Sequence, residues 1–380
     1  MTTPSPSTSV AGVRRARVVR IGRARLVLLI PGAFALLAGL DAALILLGMP
    51  APVTTTRLPQ VHGPLLVLGF VGTLVALERS VALARIVGYA APLLLGLGAI
   101  ALVTPLPITV GKALLAVGSA AFVVLYIPLW RRSRDVAVLV QVLGAVLATG
   151  GALLWLGGVD VPHLLPWLAG FVVLTIAGER LELARVAVLL AQAVRSFQVA
   201  CAAFLLCVAA SLLWPAVGYR LLGLSLLAIV LWLATYDVAK RTVRGTGLVR
   251  FSAVCLLIGY FWIGCAGTIW TLNGLVIDGA AYDAVIHAVF LGFTMSMIMA
   301  HASVILPAVL RRPLPYRPVF YLPALLLHAS LLLRLLGGDA WGNSASWQWG
   351  GVFNVVALLL FVVMAAWSSI RGVPKRDRAS

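Results

Sequence analysis

Apolar residues come in runs of about 20, separated by short basic or Pro- and Gly-containing breaks, along nearly the whole chain. Each run is long enough for a helix to cross a hydrocarbon layer of roughly 30 Å. The runs are continuous, without the period-2 alternation of membrane β-strands, so a barrel is not expected. The pattern predicts helices near 26–48, 62–84, 87–104, 109–130, 136–157, 163–180, 198–214, 219–238, 250–271, 282–306, 318–336 and 350–370. The expected fold is all-α and polytopic, with about 12 transmembrane helices. Residues 1–22, rich in Ser, Thr, Pro and Arg, read as a disordered cytoplasmic tail, 23–372 as one transmembrane domain and 373–380 as a second cytoplasmic tail. The stretch ELARVAVLLAQAVRS after the sixth run reads as an interfacial amphipathic segment.

The polar positions within the runs recur. VHGPLLVLGFVGTLVALER at 61–79 returns as PHLLPWLAGFVVLTIAGER at 162–180 and, altered, as AVIHAVFLGFTMSMIMAHA at 284–302. Aligned on Gly69-Phe70, Gly170-Phe171 and Gly292-Phe293, the three stretches place Glu78, Glu179 and His301 eight residues after the Phe. His62 and His163 stand eight before it, and His287 only six before. The stretches fall on helices two, six and ten, which predicts three parallel four-helix repeats, about 23–132, 133–245 and 246–372.

Composition adds orientation. The chain is 62% hydrophobic and 11% charged, with a net charge of +18. With the N-terminus in the cytoplasm, 25 of the 29 Lys and Arg fall on the inner side; Arg57, Lys112, Arg220 and Arg334 fall outside. The basic excess therefore reports topology and contact with the lipid bilayer, with no nucleic-acid stripe. Both termini are expected to be cytoplasmic. Trp130, Trp155, Trp214, Trp270, Trp341, Trp347 and Trp349 fall near run ends and read as an aromatic belt. Cys201, Cys207, Cys255 and Cys265 lie inside spans, without metal-ligand or disulfide spacing.

The candidate chemistry lies in the five histidines, His62, His163, His287, His301 and His328. An ionisable side chain within a span is costly and marks a functional candidate, and neutral imidazole is a common ligand of metals and haem iron. The bland alternative is an interfacial imidazole bonded to a loop carbonyl. Two residues turn a helix by about 200°, so the displaced His287 faces nearly opposite to the direction that symmetry would give it. It can thus share a ligand with His62 at similar depth. His301 lies about 21 Å further along that helix, within about 40° of the same face. It can address the same channel, or meet His328 at a second, copper-type site; plain packing is the rival. Glu78 and Glu179 stand about 24 Å from their histidines, as proton-pathway groups or as polar anchors paired with Arg79 and Arg180. Asp41, inside the first span, is a proton carrier or a hydrogen-bond anchor.

HAVFLGFTMSMIMA at 287–300 resembles the His-Ala-x-x-x-Gly stretch and Met-rich continuation of the NnrS family. VHGPLLVLGF at 61–70 resembles that family's early His-bearing helix. The resemblance implies a twelve-span protein of the bacterial cytoplasmic (inner) membrane that binds haem and copper and is tied to nitric oxide and denitrification stress. More remotely, the three four-helix units are similar to subunit I of haem-copper oxidases and nitric oxide reductases. That likeness places haem b ligands at His62 and His287 and a copper ligand at His163. Departures are plain: helix ten has no closely spaced histidines, and helix seven, QVACAAFLLCVAASLLW, has no His pair. The family's Gly-His-Thr-Gly-Arg segment is replaced by HASVILPAVLRR. A complete binuclear centre is therefore not expected. The alternatives are a metal-free proton-coupled transporter or channel, with Asp41, Glu78 and His301 carrying protons, and an assembly partner of a respiratory complex.

Overall fold

The structure is a computed structural model describing residues 7–184 and 190–372, with side chains from residue 25 on, Leu310 apart. Twelve helices among the described residues are long and apolar enough to cross a membrane, and we number those spans α1 to α12. They are α1 Arg25–Leu46, α2 Arg57–Leu83, α3 Ile86–Val103, α4 Ile108–Ser133, α5 Val136–Leu156 and α6 Val161–Ala184. The second half comprises α7 Ala191–Leu213, α8 Pro215–Tyr236, α9 Gly247–Asn273, α10 Gly279–Val309, α11 Pro318–Ala340 and α12 Ser344–Arg371. Helix is the answer that lipid demands, because every backbone N–H and C=O must be paired within its own segment. The protein is a multi-pass, all-α membrane protein.

Three expectations are corrected. The helix that contains α1 begins at Ser7, so residues 7–22 of the expected tail are helical. The Pro and Ser residues are confined to the first nine positions, so no Pro interrupts the helix before Pro31. Residues 1–6 and 373–380 of the two tails lie outside the described residues. The expected interfacial segment is divided: α6 runs to Ala184, α7 already starts at Ala191, and 185–189 lie outside the described residues. Phe197 anchors that early start, fully buried with its ring 4.4 Å from Trp232, whose Nε1 donates to Ala193 O at 2.8 Å. The aromatic belt is also incomplete, since Trp155 and Trp270 are buried in the bundle.

Neighbours in sequence pack side by side, and α4 meets α5, α8 meets α9 and α12 meets α1. Inside this ring α10 contacts both α2 and α6. Helix α6 is the most enclosed, with 72% of its apolar window buried, followed by α2 at 61%; α7, at 28%, is peripheral. Close approach explains the recurrent glycines. A Cβ on Gly69 would meet Ala99 at 2.8 Å and Ala35 at 3.3 Å, one on Gly170 would overlap Leu147, and one on Gly292 would overlap Trp262. Gly69 thus lets α2 press against α3 and α1, Gly170 lets α6 press against α5, and Gly292 lets α10 press against α9.

Two of the three recurrent helices are not plain α-helices. Leu65–Gly72 in α2 and Ala288–Met295 in α10 are π-helical. Both segments put the Gly-Phe pair at their fifth and sixth positions. Helix α6 passes through the same sequence position as uninterrupted α-helix, Val161–Ala184. A third π segment, Leu333–Ala340, ends α11.

Candidate functional site

The first site lies at the end of the bundle where α2 and α10 begin. His62 Nδ1 donates to Gly39 O of α1 at 2.9 Å, and His287 Nδ1 donates to Asp283 O, one turn back, at 2.8 Å. These bonds assign the proton of each neutral ring to Nδ1 and leave Nε2 with a free lone pair. His287 and Arg334 both lie within electrostatic reach of the His62 ring. Asp283 steadies the group: its Oδ1 is 3.3 Å from His287 Nδ1, and Arg334 grips both carboxylate oxygens at 2.7 and 2.8 Å. The Arg334 guanidinium is itself stacked 4.8 Å from the Trp347 ring, and Asp339 lies beside Asp283. His62 and His287 thus lie at the same end of two adjoining helices, with a carboxylate behind one of them in the arrangement that orients ligating imidazoles.

The other histidines behave differently. His163 is half-buried in the first turn of α6, and its imidazole makes no hydrogen bond among the described residues. His328 accepts a hydrogen bond at Nδ1 from Trp262 Nε1 (3.1 Å), so its proton is on Nε2, which faces Ser296 Oγ at 3.4 Å. Both of its nitrogens are engaged. His301 donates from Nδ1 to Met297 O at 2.8 Å, and its Nε2 faces Arg180 Nη1 at 3.4 Å. Ser296 and His301 are five residues apart, about 7.5 Å of helix rise, so His301 and His328 do not share one site. Among the described residues no group of three or more His, Cys, Asp or Glu is placed to hold a metal ion. Asp41 accepts from Val53 N at 3.4 Å through Oδ1, tying α1 to the connection that follows it.

The second site lies at the other end of the same three helices. Arg79 of α2 is paired with Glu179 of α6, and also lies 3.3 Å from its neighbour Glu78. Arg180 of α6 holds Asp237, just past α8, through two hydrogen bonds of 2.6 and 2.8 Å, and faces His301 of α10. Tyr260 of α9 donates to Asp237 Oδ2 at 2.7 Å and Ala239 N to Oδ1 at 2.7 Å. Beside these pairs lies a cavity of about 590 Å³ between α1, α2, α6, α10 and α12. Its walls are mainly aliphatic, aromatic and methionine side chains, with Glu78, Glu179 and His301 among them.

Residues 25–370 match a family model described as "Domain of unknown function (DUF8744)". The chain belongs to this family. The DUF8744 match spans all twelve helices, so both sites belong to the domain. Neither the curated proteins nor the solved structures contain a match to the chain. Sequence reasoning missed Asp283 and Arg334 at the first site of this DUF8744 chain. The i, i+4 spacing of Asp283 and His287 was a readable signal, because it puts both on one helix face; Arg334, 51 residues beyond Asp283, left none.

Proposed function

We propose that this protein is a haem b-binding protein of the bacterial cytoplasmic membrane, of the NnrS-like type, in which His62 and His287 would hold the haem iron. The observation that carries the reading is that both imidazoles, at the same end of two adjoining central helices, commit Nδ1 to a carbonyl, while Nε2 has no hydrogen-bond partner among the described residues. That donor set fits haem iron. Bound there, haem would supply one-electron redox chemistry, the chemistry that handling nitric oxide or redox stress requires. The chain's own part is to hold two ring orientations: Gly39 O fixes His62, while Asp283, clamped by Arg334, fixes His287. Copper is not part of the proposal. His328 has both nitrogens engaged, and the free nitrogen of His301 faces a guanidinium, which disfavours a cation.

The same reading takes the chain as three parallel four-helix repeats with both termini in the cytoplasm. Support comes from the shared placement of the π segments on Gly-Phe in α2 and α10, and from the matching contacts of Gly69, Gly170 and Gly292. The four basic residues at the His62 end also spend their charge on the protein. Arg57 donates to Thr104 O and Leu106 O, Lys112 to Trp155 O, Arg220 to Ala216 O, and Arg334 to Asp283.

The test is an absorption spectrum of the detergent-purified protein, oxidised and reduced, after haem-replete expression. A Soret band is expected in the wild type and in His163→Ala and His328→Ala, and is expected to be lost in His62→Ala and His287→Ala. A wild-type protein without a Soret band would sink the proposal, as would a spectrum unchanged by the double substitution of His62 and His287.

A further inference from the structure

The paired charges at the Glu78 end follow a rule. Position for position, Glu78, Glu179 and His301 correspond, and the residue after each is Arg79, Arg180 and Ala302. The arginine of α2 meets the glutamate of α6, and the arginine of α6 meets the histidine of α10. Continuing the rule, an arginine at 302 would reach back from α10 to Glu78 of α2, but an alanine stands there. Glu78 is left with its own neighbour Arg79 at 3.3 Å, a guanidinium more closely engaged by Glu179. Glu78 and Ala302 both border the 590 Å³ cavity, whose deeper walls are Leu36, Phe70, Phe171, Met297, Ile298 and Phe361. A cavity of this size takes a ligand of drug-like dimensions.

We propose that this cavity binds a lipophilic organic cation, an apolar body with one delocalised or ammonium charge, whose charge stands at Glu78 where the third arginine is missing. A carboxylate in an apolar cavity binds whatever neutralises it, a proton or a cation, so the two compete. The charged and titratable groups around Glu78 are Arg79 on its own helix, Tyr126 of α4, Glu179 and Glu182 of α6, and His301 of α10. Helices α1 and α12 line the cavity with apolar residues and Ser369 only. Arg311 and Arg312 also border it but are solvent-exposed, where salt screens them over about 8 Å. Glu78 and Glu179, 23% and 15% exposed, therefore share one guanidinium, Arg79, buried with them, while the arginines that border the cavity sit in water. The inference is independent of haem at the opposite end of the helices.

The experiment measures equilibrium binding of tetraphenylphosphonium to the purified full-length protein across a pH series. Saturable binding that weakens as the pH falls, with proton release on binding, is expected. Glu78→Gln, close in shape to the native residue, should weaken it roughly thirtyfold or more. Ala302→Arg, which supplies the missing charge from the protein, should do the same while keeping an unchanged melting temperature or raising it. Oleate run in parallel asks whether the cavity serves an anion. The proposal is overturned if tetraphenylphosphonium does not saturate, if a folded Glu78→Gln protein binds it as well as wild type, or if oleate binds and the cation does not.

Discussion

Burial alone would push the Asp237 carboxyl up, but the paired hydrogen bonds and charge of Arg180, the Tyr260 hydroxyl and the Ala239 N–H outweigh it. The carboxyl is held below its ordinary value. A carboxylate depressed in the folded state contributes stability that is fully present above its unfolded value of about 3.9 and is lost as the pH falls through the folded one. Thermal unfolding in detergent should therefore show a loss of stability below about pH 4, flattened in Asp237→Asn. Arg180 is only 4% exposed and Asp237 2%, so Arg180→Ala strands a buried carboxylate and should cost about 3–5 kcal/mol, read as a lowered melting temperature at neutral pH. At this scale the sequence was legible in its residue types and not in its partners. The Glu-Arg pairs read as anchors because neighbours in sequence invite a local pairing. In three dimensions each arginine turns to the next helix, a choice that depends on which face of α6 meets which face of α2. Arg334 read as an outward-facing charge for the same reason, since nothing near position 334 announces Asp283.

At the scale of the element, the recurrent Gly-Phe pairs mark where the central helices press against others. Gly292→Ala would drive a methyl into Trp262, whose Nε1 holds His328. Overpacking of this kind costs about 1–3 kcal/mol, and the melting temperature should fall accordingly. Gly264→Ala, on α9, is the control: its methyl meets only Val230 at 3.8 Å, and it should be neutral or stabilising by up to about 1 kcal/mol. All twelve helices were legible, because 20-residue apolar runs are a strong signal. Their ends were less so. Helix α2 starts at Arg57, before the run that defines it, and α7 starts at Ala191, where the packing of Phe197 on Trp232 extends the helix beyond what hydropathy sees. The π segments were invisible, since they use the same Leu, Val and Gly as the α-helix around them.

At the scale of the molecule, the arrangement is a ring of peripheral helices around α2, α6 and α10, with histidines at one end and carboxylate–arginine pairs at the other. Orientation in the membrane has a direct test. Trp341, 81% exposed, lies at the His62 end, and Ile86, 90% exposed, lies at the Glu78 end. The four native cysteines are buried or half-buried. A membrane-impermeant maleimide added to intact cells should label Trp341→Cys and leave Ile86→Cys unlabelled until the cells are opened. The reverse pattern would place the termini outside and remove the topological part of the proposed function.

The wide turns in α2 and α10 have a mechanical consequence. A π turn takes up one residue more than an α turn, so it offsets the two halves of a helix by about 100° of azimuth. In α2 and α10 the histidine half and the acidic half are thereby indexed separately, like two dials on one shaft with a slip between them. Helix α6 has no such slip, and its histidine must point wherever its Glu179 and Arg180 dictate. That is a geometric reason why, of the histidines in the three recurrent stretches, His163 makes no bond like those of His62 and His287 among the described residues.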